Sequence, residues 1–319
     1  MTNTPYRPQR EPQSREWRLR GGLHHTWCWP GSQPITPERP LLVVLHGWMD
    51  VGASFQFVAD ALDERRHVIA LDWRGYGRTH TPPTDSYWFP DYLGDLDALL
   101  DAVLGAVQPE GQIDLAGHSM GGNVAMLYAG VRPARIRKLV NLEGFGMPAT
   151  RPQDAPLRMR RWLDELKTPM TLRDYASQAD VAQRLRENHP RLRPDRALWL
   201  AAHWAQPRAD GRWHVAGDPA HKRINPVLSR RDETLEVWRC IEAPLLWVEG
   251  RQTDIAKFWG TRYPRSDFEE RLQVVRNVTR QAIDDCAHML HLDQPEAVAR
   301  IVDAFLEGGA GHAGAPASR

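Results

Sequence analysis

Ile113-Asp-Leu-Ala-Gly-His-Ser-Met-Gly-Gly122 is the stretch on which the reading of this chain turns. A short apolar run ends in Gly-His-Ser-Met-Gly, the G-x-S-x-G pattern of a nucleophile elbow. In that motif a strand enters, the chain reverses sharply into a helix, and a serine is held at the apex in a strained backbone conformation. Gly117 and Gly121 lack side chains, so strand and helix can close on the turn without a clash. The Oγ of Ser119 is therefore the candidate reactive atom. Small residues continue along the following helical stretch at Gly122, Ala125 and Ala129.

Working outward, apolar runs alternate with helical patterns, as expected for an α/β protein whose parallel sheet is covered on both faces. Glu16–Arg20 and His25–Pro30 read as an antiparallel start. Leu41–Leu45, Val68–Leu71, Ile113–Ala116, Lys138–Leu142, Pro244–Val248 and Gln281–Ile283 read as further strands. Between them, Gly52–Leu62, Tyr92–Val107, Gly121–Val131 and Pro295–Leu306 carry apolar residues at helical spacing. From about Met147 to Leu235 the rhythm breaks. This region has no strand run, several prolines, and helical stretches at Leu157–Leu166 and Tyr175–Arg186. The expected organisation is a core of residues 16–146 and 236–307, a helical cap inserted at 147–235, and loose tails at 1–15 and 308–319.

Composition narrows the function classes. The 319-residue chain has a net charge of +1, and a quarter of its residues are charged, which fits a soluble globular protein. No apolar run is long enough to span a bilayer, and the polar N-terminus lacks an apolar signal segment, so no membrane association is expected. Three widely spaced cysteines suggest a reducing, cytoplasmic setting without disulfides or a zinc site. The cap segment holds seventeen Lys/Arg against eleven Asp/Glu. Such an excess fits an acidic substrate or nucleic acid, while the interspersed acids favour a solvated arginine-rich surface, and no nucleic-acid motif accompanies it.

A serine hydroxyl needs a base, normally histidine, and the acid behind it follows the serine and precedes the histidine in chain order. Among thirteen histidines, His288 in Asp285-Cys-Ala-His-Met-Leu-His291 lies after the last strand and before the closing helix, where a loop would carry it over the sheet. His291 is assigned to the start of the closing segment. Asp254, in the loop after Leu245–Val248, is the expected acid. Glu143, immediately after the preceding strand, is the alternative, and Glu249 is still on its strand. The oxyanion hole is expected from the backbone N–H groups of Met120, after the nucleophile, and Trp48, in the His46-Gly47-Trp48 loop. His46 itself is read as a prop for that loop.

With these residues in place, residues 16–307 resemble the α/β-hydrolase superfamily. His46-Gly47-Trp48, Asp72-Trp-Arg-Gly-Tyr-Gly-Arg-Thr79, the Ser119 elbow and Ala287-His288-Met-Leu-His-Leu match in order. His46-Gly-Trp-Met-Asp-Val-Gly-Ala-Ser-Phe55 is particularly similar to the serine hydrolase-like subgroup. The resemblance implies an eight-stranded, mostly parallel sheet, a helical cap, hydrolase activity, and no cofactor or metal. The Asp72–Thr79 loop is read as structural. Two departures stand out. The family's usual acid position corresponds to Thr253, one residue before Asp254. The residue two before the base, often glycine, is Cys286, read as a buried structural thiol.

The leading expectation is a serine hydrolase acting on a small carboxylic ester. C–C bond or lactone hydrolysis would use the same groups, and a ligand sensor on a hydrolase scaffold is the competing class. A serine at the elbow argues against the aspartate-based dehalogenase and epoxide hydrolase chemistries of this fold. Cap residues set the substrate.

Overall fold

Strand residues here alternate between two apolar layers, and that alternation builds the molecule. A computed structural model describes residues 4–107 and 111–308. In chain order the strands are β1 (Gln13–Leu19), β2 (Gly22–Trp29), β3 (Leu42–Leu45), β4 (Val68–Leu71), β5 (Ile113–His118), β6 (Ile136–Leu142), β7 (Asp174–Tyr175), β8 (Ala205–Pro207), β9 (Trp213–Val215), β10 (Leu245–Gly250) and β11 (Val278–Ile283). The helices are α1 (Gln56–Ala61), α2 (Phe89–Val107), α3 (Met120–Val131), α4 (Ala155–Leu166), α5 (Gln178–Asn188), α6 (Pro194–Trp204), α7 (Arg231–Arg239), α8 (Ala256–Trp259), α9 (Arg265–Leu272), α10 (Leu290–Asp293) and α11 (Pro295–Glu307).

Eight strands form one sheet in the order β1-β2-β4-β3-β5-β6-β10-β11. β1 pairs antiparallel with β2, and β2 with β4, while the remaining neighbours run parallel. Leu42, Val44, Ala116, Val140, Leu246 and Val248 face one layer with α1 and α11. Val43, Leu45, Leu115, Leu139, Leu245 and Trp247 face the other with α2, α3, α7 and α9. Both faces are covered, which is why the central strands read as continuous apolar runs. The polar exception on β5, Asp114, is fully buried and accepts from Arg137 at 2.6 Å and Arg66 at 3.1 Å. β5 lies centrally, so its C-terminal end opens between the ends of β3 and β6.

The insertion between β6 and β10 differs in two ways from the sequence expectation. It contains a three-stranded sheet, β7-β9-β8, whose strands of two or three residues are too short to show a period. Its end also lies earlier than residue 235. α7 packs on α3 with Trp238 buried, and a Cβ at Gly130 would sit 2.1 Å from the Val237 carbonyl oxygen. α7 is thus part of the core layer from Arg231 onward.

The N-terminal tail is also shorter than expected. Arg10 donates to the carbonyls of Arg66 at 2.7 Å, Trp29 at 3.0 Å, Pro30 at 3.0 Å and Ala59 at 3.2 Å. The Tyr6 hydroxyl binds Asp60. Residues 4–12 are therefore docked on the core. The expected C-terminal tail, beyond Gly308, lies outside the described residues. No described helix is long and apolar enough to cross a membrane.

Candidate active site

Ser119 caps α3 with φ 51° and ψ −113°, the strained turn that the Gly-x-Ser-x-Gly spacing predicts. Glycine is required on both sides. A Cβ at Gly117 would lie 2.3 Å from the Gly121 carbonyl oxygen, and one at Gly121 would lie 2.2 Å from that of Leu45. The Ser119 N–H donates to Leu142 O at 2.9 Å, which ties the elbow to the end of β6.

His288 sits in the loop between β11 and α10. Its Nε2 is 2.9 Å from Ser119 Oγ, and its Nδ1 is 2.7 Å from Glu143 Oε2. A carboxylate only accepts, so Nδ1 carries the proton and the Nε2 lone pair faces the serine hydroxyl. The Glu143 side chain is fully buried, and its second oxygen accepts the Gly250 N–H at 2.7 Å. Both carboxylate oxygens are thereby directed.

The acid partner is Glu143, not Asp254. Asp254 is exposed, and its Oδ1 accepts the Ala256 N–H at 3.0 Å, which starts the short helix α8. After β10 the chain folds against the histidine loop, with Gln252 N donating to Cys286 O at 2.9 Å. The end of β10 thus contributes the Gly250 N–H, while the carboxylate comes from the end of β6. The turn that presents it is clamped. Glu143 has φ 57°, and Asn141 grips Gly144 at both backbone groups, accepting its N–H at 2.7 Å and donating to its carbonyl at 3.1 Å. Asn141-Leu-Glu-Gly144 was the sequence signal for this turn, overshadowed by the more usual acid position after β10.

Gly47 brings the loop after β3 against the elbow. A Cβ there would be 2.9 Å from His118 Nδ1 and 3.3 Å from Ser119 Cβ. Among the described residues the backbone N–H of Trp48 has no acceptor, and Met120 N–H is a first-turn donor without an intrahelical partner. The Trp48 indole crosses to the cap and donates to His221 O at 3.2 Å. His46 behaves as a prop. Its Nε2 accepts the Trp73 N–H at 3.0 Å, and its Nδ1 donates to Gly47 O at 2.8 Å. Asp72 is structural too, accepting from Gly52 N at 2.7 Å and His25 Nδ1 at 2.8 Å.

Behind the serine lies a buried group that sequence reasoning missed. His118 Nε2 donates to the His288 carbonyl at 2.7 Å, and His291 Nε2 donates to Asp50 Oδ2 at 3.1 Å. Burial, aided by the neighbouring imidazoles of His291 and His288, holds His118 well below the ordinary histidine range, so its ring is neutral. Asp50, His118 and His291 place ligand-type atoms within 4.8 Å of one another and could hold a cation. Asp50 is already engaged by His291 and by Ser54 Oγ at 2.8 Å. The direct consequence is positional: His118 holds the backbone of His288. Cys286 is buried, and burial pushes its thiol up to about 12, which leaves it an inert packing group.

Ser119, Met120, Trp48, Glu143 and His288 all border one cavity of about 1000 Å³ under the cap. Its remaining walls are largely apolar, including Trp88, Phe145, Met147, Trp238 and Phe258. Phe258 lies 4.7 Å from the His288 ring, centroid to centroid.

Comparison with known proteins identifies the fold family. The family described as "alpha/beta hydrolase fold" matches residues 40–295. A serine hydrolase-like protein of Danio rerio is 25% identical over 281 residues, 84% of this chain and 82% of the relative. A 3-hydroxybutyrate-oligomer hydrolase of Cupriavidus necator is 28% identical over 245 residues, 73% of this chain and 79% of the relative. Among solved structures, a thioesterase domain from the curacin biosynthetic pathway superposes with a TM-score of 0.76 at 25% identity, covering 92% of this chain and 99% of that one.

Proposed function

The chain is a hydrolase of the alpha/beta hydrolase fold family, and from that premise we propose that it cleaves a small-molecule carboxylic ester through an acyl-enzyme on Ser119. The observation that carries the reading is the continuous hydrogen-bonded line Ser119 Oγ–His288–Glu143, with contacts of 2.9 Å and 2.7 Å. Ser119 Oγ attacks the acyl carbonyl carbon while its proton passes to His288 Nε2. Glu143 fixes the tautomer and stabilises the imidazolium that forms. The N–H groups of Trp48 and Met120 receive the oxyanion. Collapse of the tetrahedral intermediate breaks the bond to the leaving alkoxide, which takes the proton from His288. Water, deprotonated by the same nitrogen, then attacks the acyl-enzyme, and the acid and free Ser119 are released.

Acyl chemistry is also what the names of the hydroxybutyrate-oligomer hydrolase and the thioesterase domain describe. The apolar cavity, about 1000 Å³, suits an acyl chain rather than a polymer surface. Fluorophosphonate labelling tests the reading. The folded protein is expected to label once, at Ser119, and the Ser119→Ala variant not at all. Absence of Ser119-dependent labelling, with no hydrolysis of p-nitrophenyl esters of graded length, would refute it.

A further inference from the structure

The cavity wall is nearly charge-neutral, with one exception inside it. Glu143 faces His288 at 2.7 Å, Arg191 faces Asp293 at 3.4 Å, and Arg230 faces Glu233 at 3.7 Å. Asp254 and Lys257 are exposed at the rim. Arg158, on cap helix α4, is half-buried, and no carboxylate lies within 4 Å of it among the described residues. Its Nε donates to Asn225 O at 2.6 Å, which orients the guanidinium and leaves Nη1 and Nη2 without an acceptor among the described residues. Burial, and after it the cations Arg161 and Arg262, destabilise its charged form.

A guanidinium held in place, half-desolvated and bordering a largely apolar chamber is a receptor for a planar anion. The fork of N–H donors matches a carboxylate in two parallel hydrogen bonds, and partial burial strengthens both. Ser119 borders the same cavity from the core side and Arg158 from the cap. We infer that Arg158 receives a carboxylate carried by the substrate at the end remote from its scissile carbonyl, so that this enzyme selects half-esters or acyl groups with an anionic tail. The inference rests on the ester-hydrolase reading for its chemistry, but binding tests it separately.

The experiment pairs p-nitrophenyl monoesters of α,ω-dicarboxylic acids, from four to ten carbons, with the same esters capped as methyl esters. At one chain length the wild-type protein is expected to favour the anionic partner in kcat/KM by at least about tenfold, the worth of one charge-assisted pair. Arg158→Gln should abolish that ratio, and Arg158→Lys, which keeps the charge but not the fork, should restore part of it. Arg160→Gln, an exposed residue of the same helix that does not act on Arg158, should leave the ratio in place. Raising the salt should lower the ratio in wild-type protein, which reads the same contact without any substitution. In parallel, the Ser119→Ala protein is titrated with monomethyl dicarboxylates and followed by tryptophan fluorescence, with and without Arg158→Gln. Arg158-dependent binding without any hydrolysis by the wild type would uphold the carboxylate site and overturn the esterase reading. Hydrolysis with an anionic-to-neutral ratio unchanged by Arg158→Gln would overturn the site and leave the esterase reading standing.

Discussion

Glu143→Gln is the substitution that examines the site most sharply, because the structure dictates how the new amide must sit. Gly250 N–H donates to one Glu143 oxygen at 2.7 Å and His288 Nδ1–H to the other at 2.7 Å. Glutamine can offer its single carbonyl oxygen to only one of them. If Gly250 keeps it, the amide NH2 faces His288 Nδ1, and the ring must carry its proton on Nε2, where it cannot accept from Ser119. The charge is lost as well. Charge centres about 4 Å apart at an effective dielectric of about 20 attract by about 4 kcal/mol, roughly a thousandfold in rate. The fully buried Glu143 side chain is not screened by water. Turnover of a p-nitrophenyl ester should therefore fall about a thousandfold in kcat with a nearly unchanged KM, and fluorophosphonate labelling should slow in parallel. Asp254→Asn should change kcat by less than about threefold, since asparagine starts a helix as well as aspartate does. A hundredfold loss in Asp254→Asn beside near-normal Glu143→Gln, with both variants folded by circular dichroism, would refute the reasoning.

Three further substitutions address the loop, the cap and the docked N-terminus. Gly47→Ala places a methyl 2.9 Å from His118 Nδ1, so the Trp48 N–H must shift. kcat should drop by about a hundredfold while the melting temperature moves little, as single-turnover kinetics and calorimetry would show. His221 is stacked between Tyr76 and Tyr87, at centroid distances of 3.8 Å and 3.7 Å, and burial pulls its pKa down to about 3. The unfolded chain protonates this residue first, so its neutral form contributes full stability above the ordinary value of 6.5. That contribution is lost as pH falls from there towards 3. His221→Phe should accordingly flatten the decline in melting temperature between those limits. Arg10→Ala removes donors to four backbone carbonyls and should cost about 2 kcal/mol in urea denaturation, with kcat unaffected.

The central sheet was legible because its strands are buried on both faces and so read as unbroken apolar runs. Ser119 and His288 were legible because each follows a strand in a distinctive local sequence. The carboxylate was not. Glu143 and Asp254 both follow strand ends, and what separates them is a contact between β6 and β10 that local spacing does not encode. The cap strands β7 to β9 escaped for a different reason: pairing of two or three residues is decided by tertiary fit, not by a period. The docked N-terminal segment was hidden likewise, since Arg10 bonds to carbonyls, which carry no side-chain signature. The triplet Asp50, His118 and His291 joins the loop after β3, the end of β5 and α10, and leaves no mark in any one of them.

Supplying the carboxylate from β6 has a consequence for the segment that follows β10. Residues 253–262 carry no group of the proton-transfer line, yet Phe258 packs beside His288, and Trp259 borders the cavity. That loop therefore contributes wall to the chamber and no proton-transfer group. The stretch between Gln252 and Tyr263 thus shapes the chamber beside the histidine without joining its hydrogen-bonded line, and buried Ile255 anchors it to the core.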